Sequence, residues 1–243
     1  MRILKNIPFI LWMIGSLVSI RKFRKPIEVY REQGNHEKER EAIQKVIAYW
    51  GPKALKRFGV TVRAEGLARI PDGSVLFVSN HQGYGDIFVI LGIITNKQFG
   101  FIAKESLRRV PIFGKWVGRI KSLFLSRNDA RAALTVFRQG EEWLKDGFSL
   151  VIFPEGTRSR GEEMGHFKRG SLRLAVKTGV PVVPVSISGT WRLFEEKGYV
   201  RSGDVRFYIH PVIETKGLSK AEAADLADRI EGVIRGKLDE WNA

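Results

Sequence analysis

From about residue 60 onward, short apolar runs alternate with longer stretches in which apolar residues recur every three or four positions. The runs 60–64 (VTVRA), 74–79 (SVLFVS), 98–102 (QFGFI), 122–126 (SLFLS), 149–153 (SLVIF), 182–187 (VVPVSI) and 205–210 (VRFYIH) predict strands. The stretches 86–94, 105–109, 112–118, 129–145, 170–178 and 219–240 predict helices. The last is the clearest. Ser219 and Glu222 have capping-box spacing, and Leu226, Ile230, Val233, Ile234, Leu238 and Trp241 then recur on one face. Strand-sized runs separated by helices predict an α/β fold, with a largely parallel central sheet of about seven strands covered by helices on both faces.

The first 58 residues follow a different pattern. Asn6 to Ile20 carries no charge, and its 15 residues make a helix of about 22 Å, short of the roughly 30 Å hydrocarbon core of a bilayer. Arg21, Lys22, Arg24 and Lys25 follow at once, a cluster that resists translocation and suits an anionic, cytoplasmic membrane face. A second helix is predicted over about 35–58. It has a partial stripe of Ile43, Val46, Ile47, Trp50 and Leu55, and Pro52 is expected to bend or break it. Residues 1–58 are therefore expected to form a two-helix membrane-anchoring motif that dips into one leaflet, with Phe9, Leu11, Trp12 and Leu17 entering lipid. A short true span and a soluble core hairpin are the alternatives. Residues 59–243 form the α/β domain.

Composition narrows the chemistry. The 243 residues are 44% hydrophobic, with no cysteine, which excludes disulfides and thiolate metal sites. Histidine occurs only at 36, 81, 166 and 210, too few for a His-rich metal centre, and there is no P-loop, zincin or nucleophile-elbow motif. The net charge of +15 attracts polyanions: nucleic acid, an anionic membrane, or an acidic protein or cofactor. Residues 104–131 hold eight Lys or Arg against Glu105 and Asp129, a net of +6.

Four blocks carry candidate chemistry. In NHQGYGD, His81 leaves the end of a strand and Asp86 opens the next helix, so the carboxylate can reach one imidazole nitrogen and leave the other for a substrate hydroxyl. Taken alone, this spacing is a weak signal that more often marks a loop histidine and a helix cap. In KSLFLSRND, Arg127 ends a strand where its fork of donors suits a phosphate, or where it is a plain surface arginine. In VIFPEGTRSRG, Pro154 and Gly156 shape a loop, Glu155 is an acceptor for hydroxyls or neighbouring backbone, and Arg158 and Arg160 offer cationic forks. In GVPVVPVSI two prolines flank a buried strand, with no proton-transfer role.

In this order and spacing the blocks resemble the glycerolipid acyltransferase family, closest to its 1-acylglycerol-3-phosphate (lysophosphatidate) acyltransferases, over roughly residues 60–215. AKESLRRVPIFG, with Lys104, Leu107, Pro111 and Gly114, resembles the family's lysine-to-glycine segment. Gly83–Tyr84–Gly85 depart from the more polar residues that bacterial members often carry there. The resemblance implies direct acyl transfer from a thioester to the free hydroxyl of a lysophospholipid, with His81 as general base and Asp86 as its orienting carboxylate. It also implies that Lys104, Arg127, Glu155, Gly156, Thr157 and Arg158 bind substrate, with Arg158 the firmest grip on phosphate. No cofactor or metal is implied, the co-substrate being acyl carrier protein or coenzyme A thioester. The other expected partners are an anionic membrane surface and lysophosphatidate, with no nucleic acid, at the cytoplasmic face of the inner membrane. An acyltransferase acting on glycerol-3-phosphate or another lysolipid is the alternative. A non-catalytic basic module leaves the FPEGTR block unexplained, and a metal hydrolase using His81 and Asp86 lacks further ligands.

Overall fold

The computed structural model describes residues 2–126 and 130–243, without the side chains of residues 2, 3 and 130. Seven strands form one sheet: β1 (Val60–Glu65), β2 (Leu76–Ser79), β3 (Gly100–Lys104), β4 (Leu123–Leu125), β5 (Leu150–Ile152), β6 (Val182–Ser188) and β7 (Gly203–Ile209). Their order is β1-β7-β6-β2-β5-β3-β4. Every neighbouring pair is parallel except β6 with β7. Among the described residues eight α-helices surround it: α1 (Arg2–Ser19), α2 (Arg24–Glu32), α3 (His36–Phe58), α4 (Gly85–Ile93), α5 (Phe113–Arg119), α6 (Ala130–Lys145), α7 (Arg173–Thr178) and α8 (Lys220–Asn242).

Strand alternation divides the core in two. Phe77, Val151, Val183 and Val185 point to the face covered by α3 and α4, while Leu76, Val78, Leu150 and Ile152 point to the face covered by α7 and α8. Helix α8 starts on the expected capping box, with both reciprocal bonds formed between Ser219 and Glu222.

The N-terminal segment differs from the sequence reading in three respects. Residues 24–32, of which the sequence reading uses only Arg24 and Lys25, as part of the basic cluster, form a helix of their own. Pro52 does not break α3, which runs unbroken to Phe58. Tertiary packing holds it there. Gly51 lies so close to α4 that a Cβ on it would stand 1.9 Å from the Leu91 carbonyl oxygen, and one on Gly92 would stand 2.3 Å from Leu55. Third, α3 is a core helix: Ile43, Val46, Ile47, Trp50 and Ala54 are buried in the same cluster as Phe77 and Val183 of the sheet. The α2–α3 pair is also pinned to the far side of the domain. Buried Glu39 takes Arg31 at 2.6 Å and Lys121 at 3.4 Å.

Beneath β6, His210 is buried with Nε2 2.7 Å from Ser186 Oγ. Burial first, then the charges of Lys237 and Arg69, lowers its pKa to about 4 from 6.5. A histidine held neutral in the fold contributes stability that is full above pH 6.5 and is lost as pH falls through about 4, because the unfolded chain takes up the proton first. The loss amounts to roughly 3 kcal/mol at most. Urea unfolding between pH 7 and 4.5 should therefore show a slope that His210→Gln flattens, and an unchanged slope would refute this assignment.

Candidate active site

The C-terminal end of β2 delivers Asn80, His81 and Gln82 to the sheet edge, next to the end of β6. Asn80 is buried and fixed to β6 twice, donating to the Ile187 carbonyl (2.8 Å) and accepting from the Ile187 N–H (2.9 Å). Gln82 is buried too, and its Oε1 accepts the N–H of Gly189 at 2.8 Å. With its two neighbours locked, His81 has little backbone freedom, and its ring stacks on Phe153 with centroids 4.0 Å apart.

His81 Nδ1 lies 2.6 Å from Oδ2 of Asp86. Asp86 opens α4, where the helix dipole favours a carboxylate, and it is fully buried. An ionised carboxylate only accepts, so Nδ1 carries the proton and Nε2 is left as an acceptor. The N–H of Gly83 donates to the same oxygen at 2.9 Å. The other oxygen, Oδ1, takes a short hydrogen bond from the hydroxyl of Thr190, which is itself buried. Both carboxylate oxygens are thus satisfied without water, and the carboxylate is aimed at the imidazole.

The loop after β5 completes the site. The N–H groups of Ser159 and Arg160 donate to the carbonyls of His81 (2.8 Å) and Gln82 (3.0 Å), so this loop lies along the histidine loop. Gly156 has φ +69°, a turn that any other residue would strain. Arg158 donates from Nη1 to Glu195 Oε1 at 2.9 Å, and its guanidinium lies 3.7 Å over the Tyr84 ring.

The expected site residues fare unequally. His81, Asp86 and Arg158 come together. Glu155 is buried, with Oε1 accepting the His81 N–H (2.6 Å) and Oε2 the Gly165 N–H (2.9 Å); of hydroxyls and neighbouring backbone, it holds backbone. Burial, opposed by those two bonds, raises its pKa. Thr157 is exposed, and Lys104 is exposed at the end of β3, one strand removed from β2, with no partner among the described residues. Arg127 lies outside the described residues. The sequence reading gave no role to Asn80, Gln82, Thr190 or Glu195. Asn80 and Gln82 flank His81 and alternate out of the strand with it. Thr190 and Glu195 lie more than 100 residues further on and carried no local signal.

Residues 61–188 match the acyltransferase family model. The chain belongs to the acyltransferase family. This acyltransferase is 30% identical to a 1-acyl-sn-glycerol-3-phosphate acyltransferase of Pseudomonas aeruginosa over 184 residues, 75% of this chain and 70% of that one. It is 37% identical over 156 residues, 63% of this chain, to a chloroplastic 1-acyl-sn-glycerol-3-phosphate acyltransferase of Arabidopsis thaliana, of whose length it spans only 43%. The crystal structure of the 1-acyl-sn-glycerophosphate (LPA) acyltransferase of Thermotoga maritima superposes with a TM-score of 0.75 at 33% identity, covering 100% of this chain and 98% of that one.

Removing the Thr190 hydroxyl leaves a buried carboxylate oxygen without a donor. Thr190→Val should therefore cost about 1–3 kcal/mol of stability, measured by urea unfolding at neutral pH. A loss below about 0.5 kcal/mol would mean that the hydroxyl is not the donor that satisfies Asp86.

Proposed function

We propose that this acyltransferase moves an acyl chain from an acyl thioester, borne by acyl carrier protein or coenzyme A, to the free hydroxyl of 1-acylglycerol-3-phosphate. The product is phosphatidic acid for phospholipid synthesis. The observation that carries this reading is the 2.6 Å His81–Asp86 pair with Nε2 left as an acceptor, in a chain whose relatives are named for that acceptor. His81 Nε2 takes the hydroxyl proton as the oxygen attacks the thioester carbonyl. The new C–O bond forms, the C–S bond breaks, and the imidazolium returns the proton to the departing sulfur. Asp86 keeps the imidazole in the required tautomer and stabilises the imidazolium. Arg158, with Lys104 and Arg127, holds the acceptor phosphate. Arg158 gives one donor to Glu195 and keeps the rest of its fork for the ligand.

Helix α1 suits a lipid surface. Leu4, Ile7, Ile10, Leu11, Ile14 and Val18 are exposed along one face, and the basic cluster of residues 21–25 follows. The opposite face packs on protein. Leu17 and Ile20 are buried, Phe9 sits on Phe58 and Phe88, and Trp12 on Trp50 and Phe58. Of the four residues expected in lipid, only Leu11 faces outward. A helix with one face committed to the core lies along a membrane rather than across it, which supports a monotopic association, and the basic cluster that follows α1 favours an anionic, cytoplasmic membrane face.

The purified protein, offered lysophosphatidate or glycerol-3-phosphate with acyl-carrier-protein or coenzyme A thioesters, should acylate lysophosphatidate preferentially. His81→Ala should lower turnover by about 10²–10⁴-fold, and Asp86→Asn nearly as much through loss of the tautomer. Preference for glycerol-3-phosphate would replace the acceptor, and near-normal turnover in His81→Ala would end the mechanism. The double variant Leu4→Glu, Leu11→Glu should release the protein from anionic vesicles on co-sedimentation while keeping activity on a short-chain soluble acceptor. Undiminished vesicle binding would contradict the role of α1.

A further inference from the structure

The chain between β6 and β7 touches both the active site and the lipid-facing helix. It leaves β6 at Gly189, whose N–H is held by Gln82, and Thr190 holds Asp86. It is then folded on itself, with the N–H groups of Glu196, Gly198 and Arg201 donating to the carbonyls of Trp191 (3.1 Å), Phe194 (2.7 Å) and Leu193 (2.9 Å). Midway, Glu195 reaches back into the site, its side chain only 4% exposed. Its Oε1 accepts from both the Tyr84 N–H (2.8 Å) and Arg158 Nη1 (2.9 Å). Its Oε2 occupies the space above Gly83, 2.3 Å from where a Cβ would stand, and has no hydrogen-bond partner among the described residues. Phe194 packs edge-on against Tyr84, the ring on which Arg158 lies.

The far end of the segment is clasped by α1. Asn6 donates from Nδ2 to the Gly198 carbonyl (3.0 Å) and accepts the Val200 N–H at Oδ1 (3.1 Å). Lys5 lies 4.4 Å over the Tyr199 ring. Asn6 follows Lys5 at the start of the charge-free run and sits one residue before Ile7, a member of the outward apolar face. A lipid-facing helix gains nothing from an asparagine there unless the side chain serves protein.

We propose that Glu195 and Asn6 are positioning residues for the acceptor's phosphate group. Glu195 fixes the guanidinium of Arg158 against Tyr84, and Asn6 fixes the segment that carries Glu195, so the helix that meets lipid also sets the phosphate site. A free arginine side chain has many rotamers to lose on binding an anion. One already held by a carboxylate and a ring binds with less ordering cost. The clasp ties this order to α1, at the end where a membrane-embedded acceptor is presented. The inference rests on the reading of Arg158 as the grip on the acceptor phosphate.

Two variants test it, Asn6→Ala and the isosteric Glu195→Gln, each assayed on vesicles containing lysophosphatidate. The KM for lysophosphatidate should rise about 3- to 10-fold, the equivalent of one or two lost hydrogen bonds. The KM for the acyl donor, kcat at saturation and vesicle binding by Asn6→Ala should stay as in the wild type. An equal rise in donor KM, a fall confined to kcat, or an unchanged acceptor KM would overturn the proposal. A second readout needs no substrate. The Arg158 side-chain Nε–H resonance should be sharp and ordered in the wild type and motionally averaged in both variants. An equally ordered signal in all three proteins would overturn the positioning role whatever the acceptor proves to be. A wild type that orders Arg158 yet ignores lysophosphatidate would instead overturn the acceptor assignment.

Discussion

Asp86 is a carboxylate with no exposure to water, and much of the site is arranged to make that tolerable. Burying an unpaired charge costs several kcal/mol even after relaxation. Here the charge faces the His81 ring N–H, the Gly83 N–H and the Thr190 hydroxyl at the start of a helix. Those donors come from β2, from the turn into α4 and from the end of β6, so the carboxylate can be satisfied only when the sheet order and the helix start are both correct. The same dryness gives the pair its chemical value. With water excluded, the carboxylate has one imidazole to orient, and the outward nitrogen is left as an acceptor.

The sheet also separates tasks between its faces. One face carries α3 and α4 with α1 outermost; the other carries α7 and α8. His81 stands at the sheet edge, and the segment from Gly189 to Arg201 links that edge to α1.

Much of this was legible in the sequence because it is local. Short apolar runs located all seven strands, and the NHQGYGD and FPEGTR blocks lay at the ends of β2 and β5, where an α/β sheet exposes its loops. The bond between His81 and Asp86 follows from a five-residue spacing across one turn. What stayed hidden depends on distant contact. Pro52 looked like a break because the close Gly51–Leu91 approach that holds α3 in place cannot be seen locally. Helix α3 looked like part of an anchor because its stripe packs equally well on lipid or on a sheet. Glu155 could have held a hydroxyl, until the His81 and Gly165 N–H groups proved to fill its two oxygens. Thr190 and Glu195 reach the site only because β6 returns them to a loop 104 and 111 residues away in sequence.

The central claim is that a buried carboxylate fixes His81 with its proton on Nδ1 and its Nε2 free to accept. Nitrogen-15 NMR of the imidazole rings at neutral pH tests this on the resting protein. The account predicts a His81 pattern with a protonated Nδ1 and an unprotonated Nε2, and loss of that single tautomer in Asp86→Asn. A wild-type His81 protonated at Nε2, or averaged between tautomers, would contradict it.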